Sequence, residues 1–244
     1  MKFSSYIYGL FLQGIRKWRI NGGAIKTIHY GSEYGGFNVL VPKEKKEGIV
    51  LSFGIGEDIS FDEGVIDNLG YDIYAYDPTP KSLEWLKKQK LSDKFHYYPY
   101  GLSVSDGVEK FYIPQNPEHV SGSVLVAEHL KKEGIDVQVK SLVSIMKELK
   151  IEHIDILKMD IEGSEFAVIP SILKANLLID QICVEIHHRF IKKENGGKLY
   201  NIFMNSPLNP ALIKLIKEVK RNGYVLVHIS ENDEEYTFVH KRIL

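Results

Sequence analysis

A single cysteine, Cys183, in 244 residues excludes an intramolecular disulfide framework and fits a reducing compartment. It lies in the apolar run 181–186, where a buried core thiol is the expected reading. Neither sign of charge dominates: 31 Lys and Arg stand against 32 Asp and Glu, for a formal net charge of −1. That balance removes the basic footprint of a general nucleic-acid binder. No uninterrupted apolar stretch reaches the length that spans a bilayer, so no integral membrane segment is expected. The opening MKFSSYIYGLFLQGIRKWRI has a short apolar run, yet Arg16, Lys17 and Arg19 stand where a signal peptide would need a small-residue cleavage site. An amphipathic helix is expected instead, within an N-terminal helical arm and lead-in over residues 1–46, and this arm is a candidate for homodimer contacts. Internal repeats and low-complexity tracts are also lacking. With 44% hydrophobic and 26% charged residues, the chain has the composition of a globular protein, and residues 47–244 suit one domain of cytoplasmic location.

From Gly48 onward, strand and helix patterns alternate, which argues for an α/β fold with a mostly parallel sheet covered on both faces. The first strand is expected at 49–53. Ser60 and Glu63 read as a capping box for a helix with Phe61, Val65 and Leu69 on one face and Gly70 as its terminator. A second strand, 71–77, leads to Thr79 and Pro80, an N-cap followed by a first helical position. A third strand is expected near 95–100, and the Ser105-Asp106-Gly107 turn predicts a hairpin with 108–113. Leu142, Ile145, Met146 and Leu149 have helical spacing. Strands four and five are placed at 154–160 and 181–187, and Pro170 predicts a kink or two short helices between them. Residues 190–210 read as a long irregular loop. After a helix over 211–221, the stretches 224–229 and 236–239 form a terminal antiparallel hairpin.

Chemistry concentrates at three strand ends. The stretch GIVLSFGIGED breaks from an apolar strand into Gly54 and Gly56, a turn that lets backbone approach a ligand closely. About twenty residues on, YDIYAYD ends in Asp77, the spacing at which doubly wound folds hold a ribose. The stretch LKMDIEGSEF delivers Asp160 and Glu162 at a strand end just before a helix, where ligands sit in open α/β sheets; a buried strand with a polar helix start is the plain alternative. Glu165 at that helix start has a structural explanation first, since a carboxylate there meets the helix dipole favourably.

Taken together, SFGIGEDISFD, YDPTP, YPYGLS, SGSVL and LKMDIEGSEF, flanked by YGSEYGGF and EIHHRF, resemble the FkbM-type methyltransferases over most of the chain. The resemblance implies a class I methyltransferase fold, Rossmann-like, that binds S-adenosylmethionine at the carboxyl ends of strands one to four. It places Gly54, Ile55 and Gly56 against the methionine part of the cofactor and Asp77, followed by Pro78, at the ribose. Gly101 and Leu102 would border the adenine, and Asp160 would face the sulfonium or the acceptor. The general glycine motif is altered, because Ser52 and Asp58 stand where an acid and a third glycine are usual. Asp58 either bonds the cofactor amine or caps the following helix. A nicotinamide-binding fold is disfavoured, since its third glycine would fall at Ile59.

Methyl transfer is an in-line displacement that needs a positioned nucleophile and a route for its proton. Glu185 and His187 alternate onto one face at the end of strand five, beside Asp160 if the sheet order holds. His187 is expected as general base for an alcohol, Asp160 as the group that orients the donor region and Glu185 as their companion; a histidine that satisfies a backbone group at the sheet edge is the competing reading. Asp160, Glu185 and His187, with Glu162 nearby, are also a candidate oxygen and nitrogen set for a divalent metal, but spacing alone does not establish convergence and no metal is assigned. The family resemblance points to a small-molecule or glycan acceptor methylated on a sugar hydroxyl. Tyr97, Tyr98, Tyr100 and the aromatics of YGSEYGGF are candidates to stack on it. A catalytically degenerate cofactor-binding or interaction module is the alternative of another class.

Overall fold

The computed structural model describes residues 14, 19–20, 25–42, 47–112, 134–188 and 208–244. Most of the expected amphipathic helix, the SGSVL stretch and most of the 190–210 loop lie outside the described residues. The strands are β1 (Ile28–Tyr30), β2 (Phe37–Val39), β3 (Ile49–Phe53), β4 (Asp72–Tyr76), β5 (Phe95–Tyr98), β6 (Gly101–Ser103), β7 (Gly107–Phe111), β8 (Ile135–Ser141), β9 (His153–Met159), β10 (Leu178–Glu185), β11 (Tyr224–Ile229) and β12 (Glu235–His240). The helices are α1 (Ser60–Leu69), α2 (Pro80–Leu86), α3 (Leu142–Leu149), α4 (Glu165–Ala175) and α5 (Pro210–Arg221). No described helix is long and apolar enough to cross a membrane.

Seven strands form the central sheet in the order β11-β12-β10-β9-β3-β4-β5. The pairs from β5 through β10 are parallel, while β12 runs antiparallel to both β10 and β11. This mostly parallel sheet with an antiparallel terminal hairpin is the expected α/β architecture. Period-two alternation decides which residues meet which layer. Leu51, Phe53, Leu157, Met159, Ile182 and Val184 face one side and pack with α3, α4 and α5. Val50, Ile156 and Cys183 face the other and pack with α1, Leu86 of α2 and the β1–β2 pair. Cys183 is thus a core residue, and burial pushes its thiol up to about 12. The β1–β2 pair is also tied to this face of the sheet by side chains of β10 and β12: Leu40 and Gln181 exchange two hydrogen bonds of 2.8 Å, and Thr237 donates to the Asn38 carbonyl at 2.6 Å.

Several local expectations are corrected. Asp58, rather than a capping box at Ser60, closes the start of α1: its Oδ1 accepts the Ser60 N–H at 2.8 Å, while the Ser60 hydroxyl accepts from Ser32 N at 2.7 Å. The turn at 105–107 does not close a hairpin with the third strand. Instead β8 lies between β6 and β7 in a separate three-stranded sheet, parallel to the first and antiparallel to the second. Its residues 135–141 alternate in burial, with Val137 and Val139 inward and Asp136 and Gln138 exposed, the pattern of a half-buried strand. Pro170 sits inside one continuous helix, α4, where Val168, Ile169, Ile172 and Leu173 bury on both sides of it. That two-sided anchoring holds the helix together despite the lost backbone donor. Thr79 caps α2 with Pro80 at its first position, and Gly70 ends α1 in the left-handed region, as the residue types require.

One polar group is carried at a cost inside this core. Asp62, in the first turn of α1, is 1% exposed, and burial raises its carboxyl to about 6 against the opposing charge of Lys158. Its folded-state value lies above the unfolded one, so the folded chain holds the extra proton between about pH 4 and 6. Stability therefore falls as the pH rises through that window. Asp62→Asn is expected to flatten the slope and to raise stability at pH 7.5 by up to roughly 3 kcal/mol. Chemical denaturation of both proteins at pH 4, 5, 6 and 7.5 checks the sign and the window.

Candidate active site

Where β3 ends, the chain turns through Gly54 (φ 74°) and Gly56 (φ 53°), backbone that a side chain would strain. The close approach is stricter than the angle. A Cβ on Gly54 would be driven into the Asp160 carbonyl oxygen at the end of β9. Asp160 N–H donates to the Phe53 carbonyl at 3.0 Å, and Lys158 Nζ reaches beneath the turn to the Gly54 carbonyl at 2.7 Å and that of Phe53 at 3.3 Å. At the end of β4, Asp77 is 5% exposed. Its Oδ2 accepts Gly56 N–H at 2.9 Å, and its Oδ1 accepts the Thr79 N–H at 2.9 Å and the Thr79 hydroxyl at 2.6 Å. Asp58 accepts from the Ser32 hydroxyl at 2.5 Å, which ties the 31–36 loop to the glycine turn. Burial opposes the charge of Asp58, but hydrogen bonds from Ser32 and Ser60 overcome it and hold the carboxyl below its ordinary range.

These elements enclose a cavity of about 870 Å³, and Gly54, Ile55, Gly56, Asp58, Asp77, Pro78, Gly101, Leu102 and Asp160 all line it. Tyr34, Gly35, Lys158 and Glu162 line it as well. A second cavity of about 520 Å³ adjoins the first, with Tyr34, Asp160 and Glu162 in both walls. Its other lining residues are Glu33, Glu185, His187, Asn232, Glu234 and Glu235, so no lysine or arginine faces it among the described residues.

His187 lines the second cavity, and four carboxylates surround its ring. The ring is 1% exposed, with Nδ1 2.9 Å from Glu165 Oε1 and Nε2 3.2 Å from both Glu162 Oε2 and Glu185 Oε1. Asp160 Oδ1 stands 3.8 Å from the same Nε2. Burial alone would lower the imidazole, but hydrogen bonds to Glu165 and Glu185 and the surrounding negative charge push it up to about 12. Asp160 moves the other way for a carboxyl, raised well above its ordinary value by burial first and by the charge of Glu185 next. The structure brings Asp160, Glu185 and His187 together, but β10 ends at Glu185 and His187 lies two residues beyond the strand expected to carry it.

The sequence matches the Methyltransferase FkbM domain over residues 40–226. This chain belongs to the FkbM methyltransferase family. Among curated proteins, the FkbM chain is 24% identical over 194 residues to the probable methyltransferase-like protein 24 of Homo sapiens, covering 79% of this chain and 45% of that protein. It is also 24% identical over 185 residues to the probable methyltransferase-like protein 24 of Rattus norvegicus, covering 75% and 43%. It therefore spans less than half the length of these relatives. Among solved structures, a Methanococcus jannaschii fibrillarin pre-rRNA processing protein aligns with a TM-score of 0.48 at 10% identity, over 85% of this chain and 71% of that one.

Within this FkbM domain the sequence reading missed Lys158 and gave Glu165 only a role at its helix start. Lys158 is 4% exposed in the apolar strand LKMD, and its only sequence signal is a charge in a run that should be buried. Glu165 is fully buried, and besides accepting the Gly163 N–H at 3.0 and 3.1 Å it fixes the His187 ring. Tyr34, one of the aromatics of YGSEYGGF expected to stack, is 69% exposed and reaches both cavities from the loop between β1 and β2. Tyr97, Tyr98 and Tyr100, expected as stacking candidates, line neither cavity. The Tyr97 hydroxyl donates to the Asp77 carbonyl at 2.7 Å, and Tyr98 and Tyr100 pack on Tyr76 with ring centroids 5.1 and 5.4 Å away.

Gly54→Ala should lower stability by at least about 2 kcal/mol, because positive φ and a backbone clash act together. Gly107→Ala is the matched control: a Cβ there meets nothing within 4 Å, and the change should stay within about 0.5 kcal/mol. Urea titration of both variants measures the contrast.

Proposed function

We propose that this domain transfers a methyl group from S-adenosylmethionine to a hydroxyl of a sugar in a glycan or glycosylated metabolite. The observation that carries the reading is the glycine turn held to Asp77 on one side and to Asp160 on the other, opening on a cavity that all three strand ends line. Pro78, Gly101 and Leu102, with Val137 and Val139, line a largely apolar part suited to adenine. Asp77 already accepts three donors from Gly56 and Thr79, so Oδ2 has room for one further donor, a ribose hydroxyl. Asp160 and Glu162, in the wall shared with the acidic cavity, would face a positive sulfonium. When bound, the cofactor supplies an electrophilic methyl group on that sulfur.

The remaining work falls to the chain. The acceptor oxygen must lie in line with the methyl carbon, and the shared wall at Asp160 is where the two cavities meet. As the oxygen–carbon bond forms and the sulfur–carbon bond breaks, the hydroxyl proton needs a base. An imidazolium has no lone pair to accept it, so His187 serves as a positioning and charge-balancing residue in this arrangement, in place of the base expected from its residue type. Asp160, with its raised proton affinity and its place in both cavities, is the base we assign. Tyr34 is the exposed aromatic at the junction that is placed to stack on a sugar face.

Calorimetric titration with S-adenosylhomocysteine, with NAD as control, tests the cofactor reading. Saturable binding that Asp77→Ala weakens about tenfold or more is the expected result. A folded protein that binds NAD, or neither compound, overturns it. Asp160→Asn should retain most of the affinity for S-adenosylhomocysteine while losing turnover on a sugar acceptor by roughly 10²- to 10⁴-fold. Equal turnover in the variant would remove Asp160 as the base.

A further inference from the structure

The geometry points to a divalent-cation site formed by Asp160, Glu162 and His187, with the Glu185 carboxylate beside it. Its place in the reaction rests on the methyltransferase reading; the site itself does not. One ligand atom each from Asp160, Glu162 and His187 lies within 4.8 Å of the others. The 3.2 Å separation from His187 Nε2 to Glu162 Oε2 is close to the spacing of about 3 Å that neighbouring ligands take around an octahedral ion with bonds near 2.1 Å. Two further observations point to an ion. Asp160 Oδ1 is buried and receives no hydrogen bond, so a carboxylate oxygen is aimed into the cluster without a donor. His187 is 1% exposed and its Nδ1 is engaged by the fully buried Glu165, the arrangement that orients a metal-binding imidazole and leaves Nε2 to the ion.

The cavity's composition selects the ion. Six carboxylates and one imidazole line it, with no basic side chain among the described residues. Hard oxygen donors with one nitrogen suit Mg²⁺ or Mn²⁺, whereas a thiolate-seeking metal finds no sulfur here. Three protein ligands leave three of six octahedral positions, so two neighbouring ones are open to oxygen atoms of an acceptor. Adjacent hydroxyls of a sugar meet that requirement, and an oxygen held there would lie at the wall shared with the cofactor cavity. Coordination through Nε2 takes the position of the proton that otherwise neutralises the cluster.

A like group elsewhere supplies the control. His153 Nε2 lies 3.1 Å from Asp180 Oδ2 at the opposite ends of β9 and β10, but Asp180 is already paired there with Arg242 at 2.9 Å. The full chain, dialysed against EDTA, is titrated with MnCl₂ in the presence of S-adenosylhomocysteine and followed by calorimetry and by the Mn²⁺ paramagnetic resonance signal. One equivalent of Mn²⁺ should bind saturably, with affinity reduced about tenfold or more in Glu162→Gln and Glu185→Gln and unchanged in His153→Gln. Protein that binds S-adenosylhomocysteine but no Mn²⁺ overturns the cation site and leaves the methyltransferase reading standing. Mn²⁺ binding undiminished in both carboxylate variants also overturns it. Saturable binding of methylammonium in place of Mn²⁺ would make the cavity a subsite for a cationic acceptor and likewise overturn the proposal. Mn²⁺ binding lost in the variants, in protein that never binds S-adenosylhomocysteine, would support the cation site and sink the methyltransferase reading.

Discussion

The contact on which both cavities depend is the one between the end of β3 and the end of β9. Gly54 presses against the Asp160 carbonyl, Asp160 N–H bonds the Phe53 carbonyl, and Lys158 Nζ pulls on the Gly54 carbonyl from beneath. Each contact is local and backbone-directed, so the turn cannot shift without breaking the parallel pairing of β3 with β9. Gly56, two residues on, reaches the carboxylate of Asp77 and extends the same constraint to β4. Three adjacent strand ends are thereby locked into one rim. The low-energy way to build it is with glycine at 54, where any side chain would be expelled by backbone rather than by a movable neighbour.

That rim carries an electrostatic cost which the fold meets by burying opposite partners. Lys158 is surrounded by apolar strand and satisfied by two carbonyls, and its charge offsets those of Asp58, Asp62 and Asp160. On the other side, His187 stands among Asp160, Glu162, Glu165 and Glu185. Even a charged imidazole leaves that group with excess negative charge, and Asp160 responds with a raised proton affinity. A protein core does not keep such an arrangement for stability alone, since removing charge from water costs more than one pairing returns. The charge is concentrated where the two cavities meet.

How much of this was readable in advance follows the range of each interaction. The central strands and the helices α1, α2, α3 and α5 are local patterns, and period and cap residues such as Thr79 and Gly70 specified them. Gly54, Gly56, Asp77 and Asp160 were legible because strand ends in α/β sheets gather at one edge. β8 was not, since its polar residues face away from its partners' core and its pairing joins positions 24 to 38 residues apart. Lys158 and the tie from Glu165 to His187 were invisible for a related reason: each satisfies a partner remote in sequence, and a lone charge near an apolar run carries no address. The sharing of Asp77 with Thr79 and Gly56 was equally hidden, although it reduces the acceptor capacity that the residue type alone would promise.

The turn 160–164 explains why one segment serves two cavities. Glu162 (φ 52°) and Gly163 (φ 103°) both take left-handed backbone, so the chain reverses sharply between β9 and α4. The reversal leaves Asp160 and Glu162 in the walls of both cavities, while Glu165, at the start of α4, points back to the His187 ring. Glu162 pays strain of order 1 kcal/mol for that backbone. An asparagine or glycine would adopt it more easily, but asparagine would bring no charge and glycine no side chain at all. The residue at 162 is thus set by what its carboxylate meets, and the turn around it by the need to present two acids on one short rim, between the place for a donor and the place for an acceptor.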